Sequence, residues 1–381
     1  MMFDFSGIPF FDNHTHRIDV SDRSIPPMEL ANAFVHGRSP VKPMSDKDRE
    51  EREYNIKNMG VVKTVVNLMA QKYGCDADID KVIAERNKRT LAGGYAYAKE
   101  LYAEANVVGE VVDDGAPFGD EALNCFPTKI YRLFQMDPCV RELIKQCESF
   151  STLKNEFDRI LRLRLNEGFI GVKSHLFELR AQPIRAISDA EAEACYAKAR
   201  QGYRPGFEDV YLNIFQHVLV LTQELGFSVH VHTGCTGNPN DLQTCTDPYA
   251  IAPLMRDERF ADARIVFLHG NPPDFGHAAW LTHSYPNVWV DIGWSLPWLG
   301  LNIEQVIEEI LSVAPHSKVM LGSGQHNHAE MVWAASKIAK TALANVLERK
   351  VNAGLLSKAQ AIETAEQLLY KNAFRLYGIK A

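Results

Sequence analysis

The chain has 381 residues, 46% of them hydrophobic and 23% charged, with a formal net charge of −7. Such proportions exclude a disordered or fibrous chain and allow one large core, within the size of an α/β barrel carrying insertions. The acidic balance, with no cluster of Lys and Arg, argues against nucleic acid or an anionic membrane as partner and leaves a small-molecule substrate. Even Arg159, Arg162 and Arg164 fall at the spacing of a solvated helix side. Seven cysteines, an odd number and without C-x-x-C pairing, fit reduced thiols. Met1 to Asn13 lacks the basic and apolar segments of a secretory leader, and no apolar run reaches the roughly 18 residues of a membrane span. A cytoplasmic protein is expected; whether it forms a homo-oligomer is open.

In chain order, the β-rich runs are Ile8 to Phe11, Val61 to Leu68, Val107 to Val112, Phe169 to Val172, Phe227 to His232, Arg264 to His269, Asn287 to Ile292 and Lys318 to Leu321. Between them, helical spacing marks Glu208 to Leu225 and Phe275 to Ser284. Two more helices follow the last run, Ala329 to Val351 and Ser357 to Tyr377, with Gly354 as a stop between them. Strands alternating with helices predict a parallel sheet, and eight of them favour a closed (β/α)8 barrel as one domain over residues 1–381. Three segments exceed a minimal barrel: Arg17 to Tyr54 after the first strand, Pro117 to Met136 after the third and Leu176 to Phe207 after the fourth. Each follows the C-terminal end of a predicted strand, the face where barrel enzymes place their sites, so together they are expected to form a lid.

The chemistry gathers at strand ends. Phe11-Asp12-Asn13-His14-Thr15-His16 carries an H-x-H pair, and in extended backbone alternate side chains share a face, so His14 and His16 can converge on one ion. Two imidazoles suit zinc or a similar borderline metal. His232 and His269 end the fifth and sixth predicted strands in the same way, which directs all four rings to one mouth. His230, two residues before His232, faces the same side one layer deeper. No P-loop, dinucleotide-binding glycine motif, G-x-S-x-G or H-E-x-x-H is present, which removes support for phosphoryl transfer, nicotinamide chemistry and serine hydrolysis.

These motifs resemble a family. D-N-H-T-H near the N-terminus, Gly171-Val172-Lys173-Ser174, H-T-G on the fifth strand and L-H-G-N-P on the sixth are similar to the amidohydrolase superfamily, closest to its nodulin-like and FluG-like branch. The ending from Gly322 to Tyr377 is similar as well, in its G-S-x-x-H-x-x-x-E-M start and N-A-x-R-L-Y close. The resemblance implies a metal-dependent TIM-barrel hydrolase whose one or two divalent ions, zinc first among them, are bound by His14, His16, His232 and His269. It also places Lys173 where some members carry a carbamylated lysine ligand and others an unmodified one.

The pattern departs at the eighth strand. Members usually bear an aspartate after G-S, both a ligand and the base that takes a proton from water; here Gly322-Ser323-Gly324-Gln325-His326-Asn327-His328 has Gly324 in that place. His326, His328 or Gln325 could substitute, with His326 favoured because a neutral imidazole serves as a general base. Alternatively the mechanism is modified, or hydrolysis is impaired, in which case Gly324→Asp should restore it. His269 is a further imidazole at the reaction centre, and Arg180, Asp291 and Trp294 are candidates for substrate contact, with Phe177 and Trp298 as apolar wall. The reading is a hydrolase of an amide, lactone or ester; a decarboxylase of the same superfamily and a barrel with impaired catalysis are its rivals.

Overall fold

Short runs of β-branched and aromatic residues form eight strands: β1 (Phe10–Thr15), β2 (Val107–Asp113), β3 (Ile130–Gln135), β4 (Gly171–Ser174), β5 (Ser228–His232), β6 (Ile265–Leu268), β7 (Val288–Asp291) and β8 (Val319–Met320). The computed structural model describes residues 3–35, 44–113, 124–179, 184–235 and 247–380. Each strand pairs in parallel with the next, in chain order. Backbone bonds then carry β1 across to the residues after β8: Asn13 N–H donates to Leu321 O at 3.0 Å, Gly324 N–H to His14 O at 2.8 Å and His16 N–H to Gln325 O at 3.0 Å. The sheet thereby closes into a TIM-type barrel, and every strand opens onto one mouth with its C-terminal end.

Two of the expected elements change. Val61 to Leu68, read as a strand, lies inside the helix Gly60–Tyr73. Its buried residues, Val61, Val62, Val65, Val66, Met69 and Ala70, repeat at helical spacing, so packing overrides the β-branched preference. Gly74, in left-handed backbone at φ 68°, ends the helix with its N–H on Ala70 O. The missing strand is β3, which occupies the second half of the segment read as the insertion Pro117 to Met136. Among the described residues, the excursion from β1 to β2 holds four helices, Pro27–Val35, Asp46–Lys57, Gly60–Tyr73 and Ile79–Ala105. That from β4 holds Leu176–Leu179 and Asp189–Arg200 before the helix Arg204–Leu225. Among the described residues, no helix is long and apolar enough to cross a membrane.

Inside the barrel, Phe11, Val111, Leu133, Val266, Leu268 and Met320 fill the lower layers. The C-terminal helix Asn372–Tyr377 follows one π-helical turn, Gln367–Lys371, and presses Phe374 and Tyr377 against Phe11 at ring separations of 5.5 and 6.3 Å. Asn372 fixes this plug by donating to Val319 O at 2.7 Å. The floor is therefore closely packed, and the strand-end imidazoles stand above it.

Candidate metal centre

His14 rises from β1 above this plug, and His16 follows just past the strand. Their ring centroids are 5.0 Å apart; His269 lies 5.1 Å from His14, and His232 lies 4.6 Å from His269. The structure thus brings all four sequence-chosen histidines into one arc. Desolvation by burial, then the charge of Lys173, holds His14 well below the ordinary histidine pKa, so its imidazole is neutral, the form that ligates a metal. Both of its ring nitrogens are buried and without a hydrogen-bond partner among the described residues. A histidine so placed leaves polar atoms unsatisfied unless something meets them.

The neighbouring rings are set for the same task. His16 Nδ1 lies 2.9 Å from Asp113 O, and His269 Nδ1 lies 2.9 Å from Gly293 O. Each Nδ1–H is thereby committed to a carbonyl, which leaves Nε2 as the lone pair, the arrangement found around metal-ligating histidines. His269 has left-handed backbone, φ 72°, costly for a β-carbon-bearing residue; Ser295 Oγ holds it by donating to His269 O at 2.8 Å.

Asp113, the last residue of β2, was not foreseen. Ligand atoms of His14, His16 and Asp113 lie within 4.8 Å of one another, a set of two imidazoles and one carboxylate that fits a divalent ion. The signal was available, since Val111-Val112-Asp113 ends a strand in a carboxylate at the depth of the H-x-H pair. Lys173 meets this carboxylate: its Nζ donates to Asp113 Oδ2 at 2.8 Å, with both side chains buried, and stands 3.2 Å from His175 Nε2. His175 and Glu178, just beyond β4, were missed too. Glu178 Oε1 is 3.6 Å from His232 Nε2.

His230 takes the deeper layer expected of it. Its Nε2 lies 3.1 Å from Ser228 Oγ, its ring stacks on Tyr377, and burial pushes its pKa down to about 3. Asp291 closes β7 in a locked position, accepting from Gly293 N–H at 2.7 Å and Asn13 Nδ2 at 3.0 Å, with burial raising its pKa to about 7. Trp294 is buried 5.7 Å from the His269 ring and packs tilted against Trp298, with centroids 4.0 Å apart. Phe177 packs into the outer core instead of lining the mouth. Arg180 lies outside the described residues.

At the eighth strand, His326 stacks on His16 with centroids 3.8 Å apart. Gln325 donates from Nε2 to His16 O, tying the β1 and β8 loops together. His328 is buried near Glu29, 4.0 Å away. Gly324 has φ 59°, and a Cβ there would lie 2.4 Å from Trp294 Cβ and 2.7 Å from Trp294 Cα. Residues of the first excursion border the same mouth: Asp19, Arg23, Glu29, Asn32, His326 and His328 line a cavity of about 480 Å³.

A family described as amidohydrolase matches residues 153–379. Over 152 residues the chain is 27% identical to Protein fluG of Emericella nidulans, a match covering 40% of this chain and 17% of that protein. Among solved structures it superposes on a Lactobacillus casei protein described as a metal-dependent hydrolase, with a TM-score of 0.82 and 16% identity over 99% of this chain and 98% of that one. A Thermotoga maritima uronate isomerase matches at TM-score 0.72 and 13% identity, over 98% and 95% of the two chains. At these identities the structural likeness speaks for the barrel alone, and it is the sequence match across more than half of the residues that assigns the family. The chain belongs to the amidohydrolases.

Proposed function

We propose that the chain is a hydrolase that opens a C–N or C–O bond of a small molecule, an amide, lactone or ester, with a divalent ion, zinc first among candidates, held by His14, His16, His269 and Asp113. The observation that carries this reading is His14, a buried neutral imidazole with both nitrogens unpartnered among the described residues. Asp113 supplies the carboxylate that Gly324 cannot. When bound, such an ion polarises a carbonyl and lowers the pKa of water.

The chain's own groups do the rest. A carboxylate has two oxygens, so Asp113 can keep Lys173 on Oδ2 while Oδ1 serves the ion. Lys173 is read as an unmodified ammonium, because a carbamate in its place would set two anions in hydrogen-bond contact. His326, half-buried against His16 and on the wall of the cavity, is placed to take a proton as water adds to the carbonyl carbon. It returns the proton to the leaving nitrogen or oxygen as that bond breaks.

Metal analysis of chelator-stripped and reloaded protein tests the reading, joined to a screen of amides, lactones and esters. His14→Ala and Asp113→Ala are expected to lose the ion and to reduce turnover at least about 100-fold, the order expected for loss of a metal-site group. Full metal content in both variants, or turnover that survives chelation, refutes it.

A further inference from the structure

We propose that the N-terminal end of the barrel, opposite the mouth, binds a small organic phosphate in a cavity walled by Arg264 and Arg375, and that this ligand is an effector of the mouth. The cavity encloses about 680 Å³ between the residues that lead into β4, β5 and β6 and the end of the C-terminal helix Asn372–Tyr377. No Asp or Glu is among the described residues that line it, whereas three arginines are: Arg162, Arg264 and Arg375. In a chain of net charge −7, such a pocket stands apart from the acidic balance of the whole.

The three arginines differ. Arg162 is compensated: its Nε donates to Asp158 Oδ2 at 2.7 Å, and Glu224 Oε2 lies 3.8 Å from its Nη2. Arg264 Nη1 donates to Gly226 O at 2.8 Å, and Arg375 Nη2 donates to Ser317 O; neither guanidinium has a carboxylate partner among the described residues. A carbonyl engages one of five N–H groups, which fixes the fork and leaves the other donors for a ligand. The excess charge is felt nearby, where burial and then the charge of Arg375 lower the pKa of Lys318. Two uncompensated guanidiniums match the charge of one phosphate monoester, close to −2 at neutral pH, and their planar forks match its oxygens. Leu225, 42% exposed, and Leu376 offer apolar surface to the organic body that carries the phosphate.

Catalysis in barrel enzymes belongs to the other end, so a ligand bound here acts on the chemistry from a distance. Tyr377 provides the link. It lines the cavity, and its hydroxyl donates to Asn13 Oδ1 at 2.5 Å inside the barrel. Asn13 Nδ2 donates to Asp291 Oδ2 at 3.0 Å, Asp291 Oδ1 accepts from Gly293 N–H at 2.7 Å, and Gly293 O meets His269 Nδ1 at 2.9 Å. Ser228, also in the wall, places its Oγ 3.1 Å from His230 Nε2, one layer below His232. A continuous line of polar contacts thus runs from the cavity wall to an imidazole of the mouth, and a ligand that shifts Tyr377 is expected to alter the setting of His269.

Calorimetric titration of chelator-stripped protein with phenyl phosphate provides the test, since the probe then finds no metal at the mouth. The wild type is expected to bind one equivalent, and Arg264→Gln and Arg375→Gln each to weaken binding about 10-fold, the order expected for loss of one hydrogen bond to a charged group. Arg162→Gln should bind as the wild type does, because Asp158 already engages that guanidinium. All three arginines are exposed, so these variants leave the core untouched. Benzoate, with the same ring and a single charge, should bind more weakly; equal binding overturns the phosphate assignment. Phenyl phosphate is further expected to shift the imidazole NMR signal of His269 in the wild type, and Tyr377→Phe to bind the probe without that shift. No binding, or binding indifferent to Arg264 and Arg375, overturns the site, and binding without a response at His269 overturns the effector role. Neither result bears on the proposed hydrolase, which stands or falls on metal content and turnover.

Discussion

Phe11 and His14 stand three residues apart on β1 and meet opposite surroundings. Phe11 is wedged among the rings of Tyr131, Phe374 and Tyr377, with separations of 5.6, 5.5 and 6.3 Å, in a layer held mainly by apolar contact. His14 is as deeply buried, yet its neighbours are the imidazoles of His16 and His269 and a lysine–carboxylate pair. The floor is stabilised by apolar burial; the mouth holds polar groups whose satisfaction depends on a ligand. One strand can therefore anchor the fold and present a site, provided the two layers do not share side chains. The largest expected effect follows: Phe11→Ala should cost about 3–5 kcal/mol through the cavity it leaves. Measured by denaturant unfolding, this loss should come with unchanged metal content in the folded protein. Loss of metal in step with stability would show that floor and mouth are one unit.

Gly324 lies where the loops after β7 and β8 meet, and tests how rigid the mouth is. A side chain there needs left-handed backbone, about 1–2 kcal/mol for a residue with a Cβ, and displaces the Trp294 backbone, which adds about 1–3 kcal/mol. Gly324→Asp is thus expected to lower stability by roughly 2–5 kcal/mol and to bring neither a further metal equivalent nor activity. Thermal unfolding and metal analysis check both. A variant of wild-type stability with an added ligand would mean that the mouth adapts as the floor does not.

What the sequence disclosed follows the same division. Seven of the eight strands were legible because β-rich runs ended in turns, and His14, His16, His232 and His269 because strand ends in a parallel barrel share one face. β3 was hidden because Ile130-Tyr131-Arg132-Leu133 has three residues only partly buried and so little alternation to read. Val61 to Leu68 misled because local β preference outweighed a helical period that tertiary packing later enforced. Asp113 was passed over although its place at a strand end was readable, and His175 and Glu178 because a single imidazole or carboxylate beyond a strand carries no spacing signal. Only their arrival beside Lys173 and His232 gives them meaning, and that depends on contacts between distant segments.

The smallest effect concerns Lys340, a lysine buried at the opposite end. Lys340 donates to Ala105 O at 2.9 Å and Ser6 O at 3.1 Å, and burial, helped by the charge of Lys337, pushes its pKa down to about 8. In the unfolded chain a lysine titrates near 10.4. Between these values the native state binds fewer protons than the unfolded one, so stability rises with pH. Below about pH 8 both states are protonated and the cost of holding the charge is present in full. The expected slope is less than one proton, read as the difference between wild type and Lys340→Met in unfolding free energy from pH 7.5 to 10.5. Because Lys340 lies far from the imidazoles, metal content should stay constant across the comparison. A flat difference would mean that the two carbonyls keep the ammonium charged, and that this end of the barrel tolerates a buried charge as well as the mouth does.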